Sequence, residues 1–134
     1  MIQRIVPIIT SVGKIWGRDA IYLDNVNVVN ESTFELSGEF NGTLCSNLDN
    51  NTNKGYRITF NSVHLFKMIE LDYDEIDYES SFDLIVNSEQ VAKMIKEDKE
   101  MHIGKIDNSY KHFVFRTYDT VFEVIGKDYE LELK

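Results

Sequence analysis

Residues 33–40 alternate apolar and polar side chains, and this pattern constrains the fold more than any other feature of the sequence. Phe34, Leu36 and Phe40 are separated by glutamates, a serine and a glycine. Successive side chains of a β-strand point to opposite faces, so the segment predicts a strand with one face in a core and the other in water. The β-branched and aromatic residues of segment 20–29 predict a second strand, joined to the first by a hairpin connection at residues 30–32.

The rest of the chain predicts further strands and one helix. Residues 56–71 form an apolar-rich stretch whose phase slips at Asn61 and Ser62, as in one long or broken strand. Residues 89–97 have apolar side chains at helical spacing after Ser88, a good N-cap, with Asn87 as the rival cap. Residues 111–118 and 120–133 predict two more strands, the second with a break near 126–128. We therefore expect an α+β fold, mainly an antiparallel sheet with one or two helices packed on one face.

Length and composition indicate a single domain, residues 1–134. The chain is 43% hydrophobic and 28% charged, which is typical of globular proteins and far from disordered or membrane compositions. One cysteine excludes a disulfide scaffold and a multi-cysteine zinc site, and it suits a reducing compartment. The apolar N-terminus lacks the features of a signal peptide, and no stretch approaches the length of a membrane span. We expect a cytoplasmic protein without membrane association.

The charge balance narrows the class of partner. The chain has 23 acidic residues against 14 lysines and arginines, a formal net charge of -9. Such a chain repels nucleic acids and anionic membranes, whereas it attracts basic surfaces. We therefore expect a basic protein partner and no nucleic acid.

Residues that could carry out catalysis are scattered along the sequence. His64, His102 and His112 have no cysteine or acidic residue at metal-motif spacing, and Cys45 has no base that the sequence places beside it. The glycines form no phosphate-binding loop. These observations predict no enzymatic turnover, no cofactor and no tightly held metal ion, and they leave open a weak, irregular divalent site among the carboxylates of residues 70–89.

The segment from Glu70 to Glu89 contains eight acidic residues and no lysine or arginine. A calcium loop that begins at Asp72 or Asp74 would lack the glycine at its sixth position and the required oxygen ligands. A pair of carboxylates for acid–base catalysis is available, but the sequence does not indicate which two would converge. The segment is either a solvated loop that keeps the protein soluble or a binding surface.

The binding hypothesis depends on the tyrosines of the segment. Tyr73 and Tyr78 are amphipathic anchors among carboxylates that would steer a basic partner. In the alternative, the same tyrosines only pack on the sheet. The predicted partner-binding residues are Asp72, Tyr73, Asp74, Glu75, Asp77, Tyr78 and Glu79.

Two stretches in the second half of the chain carry a resemblance to a known class of proteins. They are SSFDLIVNSE at residues 80–89 and KHFVFRTYDTVFEVI at residues 111–125. Their overall pattern resembles small acidic bacterial proteins that confer immunity to polymorphic toxins. The resemblance implies a cytoplasmic protein that binds and blocks a toxin domain, and it assigns no individual functional residue.

Two other classes of function fit the same composition. A mimic of DNA would spread carboxylates along one face at the spacing of phosphates in a duplex. An enzyme or a small-ligand-binding protein would need a concave pocket with converging polar groups. A toxin gene beside the gene for this protein would favour the immunity hypothesis over both.

Overall fold

Two antiparallel sheets and one helix form the secondary structure of the computed structural model, which describes residues 2–49, 52–74 and 78–134. The bounds, in chain order, are β1 Arg4–Pro7, β2 Ile21–Asn30, β3 Thr33–Phe40, β4 Lys54–Asn61, β5 Leu65–Glu70, β6 Phe82–Val86, α1 Glu89–Glu100, β7 Lys111–Arg116, β8 Thr120–Gly126 and β9 Asp128–Leu133. Single 3-10 turns lie at Gly42–Leu44 and Leu71–Tyr73. The expected mainly antiparallel α+β fold is confirmed at this level.

The strands divide between a five-stranded sheet with the order β1-β6-β7-β8-β5 and a four-stranded sheet with the order β2-β3-β4-β9. The hairpin of β2 and β3 was predicted, and the Asn30 side chain accepts a hydrogen bond from the Ser32 backbone in its turn. Strands β1 and β6 pair with each other and were not predicted. Both are short, and Pro7 is tolerated because β1 is an edge strand.

The chain changes sheets where the sequence pattern slips. Ser62 has a φ of 52°, and this left-handed residue separates β4 in one sheet from β5 in the other. A second change follows Gly126, where a Cβ atom would lie 2.9 Å from the carbonyl oxygen of Asn61. The close approach of the two backbones explains the glycine. Of the two predicted alternatives, one long or one broken strand, the broken strand is the one observed, and the break is a crossing between the two sheets.

Rings from both sheets fill a shared apolar core. Phe60 of the four-stranded sheet lies 5.6 Å from Phe113 of the five-stranded sheet, and Tyr56 lies 5.9 Å from Phe115, measured between ring centroids. Phe122 is also fully buried in this cluster. We call the side of the five-stranded sheet that carries Phe113, Phe115 and Phe122 its inner face.

The opposite side, the outer face, has a mixed composition. Val114 and Val121 form a small apolar cluster there with Ile85. The alternating positions between them carry buried ionisable side chains. These are Asp83, His112, Arg116 and Glu123.

Helix α1 begins as predicted and runs three residues beyond the predicted end. The Ser88 hydroxyl caps it by accepting a hydrogen bond from the Val91 backbone at 3.2 Å. Asn87, the rival cap, instead has a left-handed φ of 57°. Val91 lies in a buried cluster with Ile106 and Ile125, against which Met94 and Ile95 pack. 

Candidate functional site

The predicted partner-binding segment follows strand β5 at one end of the molecule. Asp72 and Tyr73 lie in the 3-10 turn, and the Tyr73 side chain is 74% exposed. The Leu71 backbone donates a hydrogen bond to the Asp119 carbonyl, which fixes this turn beside the β7–β8 connection. Tyr78 and Glu79 are also exposed. The predicted residues Glu75 and Asp77 lie outside the described residues.

Two acidic side chains of the segment point inward to one arginine. Arg116 Nη1 lies 2.8 Å from Asp83 Oδ2, and Arg116 Nε lies 3.4 Å from Asp74 Oδ2. The Asp83 carboxylate is fully buried, and the side chains of Asp74 and Arg116 are each 6% exposed. A buried charge needs an opposite charge and hydrogen bonds, and the three residues supply both. Part of the negative charge of the segment therefore balances Arg116 within the fold.

Asp83 also fixes the backbone that precedes it. Its carboxylate accepts hydrogen bonds from the Ser80 hydroxyl at 2.6 Å and from the backbone amides of Glu79 and Ser80 at 2.9 and 3.2 Å. Arg116 donates a further bond to the Ser80 carbonyl. Charge-assisted bonds of this kind are the stronger class of hydrogen bond. They hold residues 79–83 in a defined conformation directly after Tyr78.

Tyr78 contacts both a cation and a tryptophan. The Arg116 guanidinium carbon is 5.2 Å from the centroid of the Tyr78 ring. The centroids of the Trp16 and Tyr78 rings are 5.7 Å apart. Both distances are within the range of cation–π and aromatic contacts. Ser81 holds the segment around Trp16 beside Tyr78. Its backbone amide donates a hydrogen bond to the Ile15 carbonyl, and its hydroxyl donates one to the Gly17 carbonyl. Tyr78 is therefore held in place while it remains 56% exposed.

A second pair of rings continues the same surface. Tyr22 and Tyr118 stack at 6.1 Å, and the Arg18 guanidinium lies 4.8 Å from the Tyr118 ring. The Tyr118 backbone donates to the Ile21 carbonyl, which joins the two sheets here. We call these exposed rings together the aromatic end. Its members are Trp16, Tyr22, Tyr73, Tyr78 and Tyr118.

Exposed carboxylates accompany the aromatic end. Asp72, Glu79 and Asp119 are exposed, and Arg18 lies 3.9 Å from Asp119. Aromatic residues are enriched at the centres of protein interfaces, whereas charged residues are typical of the rims. The aromatic end has this composition.

A different constellation lies elsewhere on the outer face. The Ser88 hydroxyl is 2.7 Å from His112 Nδ1, and His112 Nε2 is 2.9 Å from Glu123 Oε1. All three residues are buried. The hydrogen bond from His112 is the main cause that lowers the pKa of Glu123, with a smaller contribution from Lys67, whose Nζ is 3.7 Å from Glu123 Oε2. The Glu123 carboxylate is therefore ionised, and it accepts a hydrogen bond from His112.

A pocket of about 580 Å³ opens beside Ser88 and His112. Half of the residues that line it are aliphatic, among them Val91, Ala92 and Ile95 of helix α1. Lys111, the first residue of strand β7, and Tyr110 before it also contribute to its wall. Its size is within the range of small-molecule sites.

The remaining candidate residues stand apart from one another. His64 and His102 are exposed, and the His64 ring meets only the edge of Tyr110 among the described rings. Cys45 is buried, and burial raises its pKa to about 11, so the side chain stays a thiol at neutral pH. Among the residues that the structure describes, no three His, Cys, Asp or Glu side chains are grouped to hold a metal ion. In the same part of the chain, no helix has the length and apolar character needed to cross a membrane.

Sequence reasoning did not find several residues of these two sites. It treated Arg116 as a strand residue and did not consider Trp16 or Tyr118 as surface residues. A signal for Arg116 was present, because a charged residue at an alternating position of an apolar strand must have a buried partner or lie at an edge. Its partner Asp83 is 33 residues away, so the sequence does not reveal the pair.

Comparison with known proteins gives no match. No protein-family model matches the chain, and neither a curated protein nor a solved structure is similar to it. The functional conclusion therefore depends on the geometry of the molecule itself.

Proposed function

We propose that this chain is a toxin-neutralising immunity protein, which binds a basic toxin domain through the aromatic end and the carboxylates beside it. The observation that supports the proposal is the group of five exposed aromatic side chains at one end of the molecule, four of which form the pairs Trp16–Tyr78 and Tyr22–Tyr118. Rings of this kind supply most of the binding energy in protein interfaces. Asp72, Tyr73, Tyr78 and Glu79 are the predicted contact residues that the structure describes as exposed.

The charge of the chain supports a basic partner. A net charge of -9 attracts a basic domain, and exposed carboxylates next to the anchors accelerate its association. Exposed ion pairs contribute only about 0 to 1 kcal/mol each, so most of the affinity comes from the rings. In this proposal the carboxylates set the association rate and the aromatic residues set the dissociation rate.

The buried arginine network prepares the surface for binding. Arg116 and its carboxylate partners fix residues 79–83, and Tyr78 is held over the guanidinium. A side chain that is already ordered loses less entropy on binding. We propose that Asp74 acts in this way, through Arg116, while Tyr78 contacts the partner. Helix α1 occupies another part of the outer face, through the Val91 and Ile125 cluster, and leaves this end uncovered.

The protein class and its compartment belong to the same proposal. A mimic of DNA would present carboxylates in rows, whereas the exposed Asp72, Glu79 and Asp119 each adjoin an exposed tyrosine in the sequence, which favours a protein-binding surface. The proposed mode of action on the toxin is stoichiometric binding, and the proposed compartment is the cytoplasm. 

The test is the binding kinetics with the toxin domain encoded beside the gene for this protein, at low and high salt. Tyr73→Ala should speed dissociation at least ~30-fold, because the loss of a central anchor costs about 2 kcal/mol or more. The Asp72→Lys, Glu79→Lys double variant should slow association and weaken its salt dependence.

Matched controls lie far from the aromatic end. The Glu31→Lys, Glu130→Lys double variant makes the same change in net charge at two exposed positions, one in the β2–β3 turn and one in strand β9. Val28→Ala removes an exposed apolar side chain from β2. Binding by the two site variants that is no weaker than binding by these controls would contradict the proposal.

A further inference from the structure

We propose that Ser88, His112 and Glu123 form a nucleophilic serine site that hydrolyses esters of small aliphatic acids in the adjacent pocket. This inference goes beyond the binding function, and it departs from the sequence-based prediction that the chain has no turnover. It is independent of the aromatic end, because the two groups of residues share no member. Two experiments, a labelling reaction and a hydrolysis assay, test whether the chain has this activity.

The hydrogen-bond directions favour an activated hydroxyl. An ionised Glu123 can only accept, so His112 donates to it from Nε2. In its neutral form the ring then has a lone pair on Nδ1, and the Ser88 hydroxyl donates to that atom at 2.7 Å. A nucleophile, a base in hydrogen-bond contact with it and a carboxylate that orients the base are the three parts of such a site.

The position of Ser88 places backbone hydrogen-bond donors near the negative charge that develops on the ester carbonyl oxygen during the attack. Ser88 precedes helix α1, and the first amides of an α-helix have no acceptor within the helix. Val91 N–H already donates to the Ser88 hydroxyl. The amide of Gln90 belongs to the same first turn and would stabilise an oxyanion formed next to Ser88.

The pocket specifies the class of substrate. Ser88 and His112 are part of its wall, together with the aliphatic residues Val91, Ala92 and Ile95 of helix α1. A volume of about 580 Å³ accommodates a short acyl chain and a small alcohol. Lys111 and Asn108 supply polar groups at the wall for the alcohol portion.

The reaction proceeds in two balanced steps. The Ser88 oxygen attacks the ester carbonyl carbon, its proton passes to His112 Nδ1, and the bond from the carbonyl carbon to the alkoxy oxygen breaks as the alcohol leaves with that proton. Water then attacks the acyl group on Ser88, giving up a proton to His112, and the carboxylic acid leaves as Ser88 recovers its proton. Ser88 and His112 are catalytic residues, and Glu123 is a positioning residue that acts through His112.

The first experiment treats the purified full chain with an alkyl fluorophosphonate. The Ser88 oxygen would form a bond to the phosphorus atom of this reagent, and fluoride would leave. We expect one equivalent of label, assigned to Ser88 by peptide mapping. His112→Asn should slow labelling at least ~100-fold, since a general base contributes 10²- to 10⁴-fold. Absence of label on the parent chain, or label at another residue, would overturn the proposal without the need for any variant to fold.

The second experiment measures hydrolysis of p-nitrophenyl butyrate. Ser88→Asn keeps a good helix cap but has no nucleophile, so it should lose the activity while its thermal unfolding stays close to that of the parent. Ser109→Ala is the matched control at an exposed serine and should keep full activity. Glu123→Gln should lower kcat with little change in KM, as expected for a positioning residue. Equal activity in parent and Ser88→Asn preparations would show that a contaminant hydrolyses the ester and would overturn the proposal.

Discussion

The inner and outer faces of the five-stranded sheet are built from the same strands, yet they are stabilised differently. On the inner face, Phe113, Phe115 and Phe122 contribute rings to a continuous apolar core. On the outer face, Arg116 and Glu123 are buried beside small apolar clusters. The named side chains of both faces are buried. Burial alone therefore does not indicate an apolar environment in this chain.

The two faces also differ in how strictly the positions of their side chains must be fixed. Apolar contacts are non-directional, so the inner face tolerates alternative packings of similar volume. Each buried charge on the outer face needs particular partners at hydrogen-bond distance, and every buried side-chain nitrogen or oxygen in the described residues has one. Both proposed sites lie on or next to the outer face, where side-chain positions are the more strictly fixed.

The largest expected effect is on the inner face. Phe122→Ala should lower the free energy of unfolding by about 4 kcal/mol, because it removes a fully buried ring that lies 5.6 Å from Phe66. Urea denaturation measures this loss. Met68→Ala is the control, since Met68 is the cross-strand neighbour of Phe122 but is 55% exposed. Similar losses in the two variants would show that the inner face is not a packed core at Phe122.

The second effect tests the buried charges of the outer face. Asp83→Asn keeps the shape of the side chain but removes the charge opposite Arg116, and it should cost about 3 kcal/mol. The control is Glu132→Gln, which alters the exposed pair of Glu132 with Arg57, at a comparable 2.7 Å, and should leave the urea midpoint unchanged within error. If Asp83→Asn were as mild as Glu132→Gln, the distinction between buried and exposed pairs would fail.

The third effect is a pH dependence of the outer face. The hydrogen bond from His112 lowers the pKa of Glu123 below its ordinary 4.5 in the folded state. The resulting stability is fully present above the unfolded pKa of Glu123 and is lost as the pH falls through the lower folded value. Urea midpoints of the parent and of Glu123→Gln, measured from neutral pH to below about pH 4, should therefore converge on acidification. Parallel curves would mean that Glu123 has the same pKa in both states.

The smallest effect concerns the exposed neighbour of the same carboxylate. Lys67 is 58% exposed, so Lys67→Gln should change the free energy of unfolding by less than about 1 kcal/mol. The difference should shrink further at high salt, because salt screens exposed charges. A loss as large as that of Asp83→Asn would show that the number of charges matters more than their burial.

Local sequence patterns predicted much of the secondary structure. The alternation in β3, the cap of α1 and the interruption near Gly126 each depend on residues within a few positions of one another. Strands β1 and β6 escaped prediction because four or five residues give too short a pattern to recognise. The exposed position of Tyr73 and Tyr78 also agrees with their place in a highly polar segment.

The strand periodicity, the helix start and the negative charge can be read from the amino-acid sequence, because they are properties of neighbouring residues or of the sum over the chain. The division of the strands into two sheets and the pairing of Arg116 with Asp83 and Asp74 became visible only in the folded chain. Folding also brings Ser88, His112 and Glu123 together from three separate parts of the chain. Strand pairing and the partners of a buried charge depend on contacts between residues far apart in the sequence, and no local pattern records such contacts.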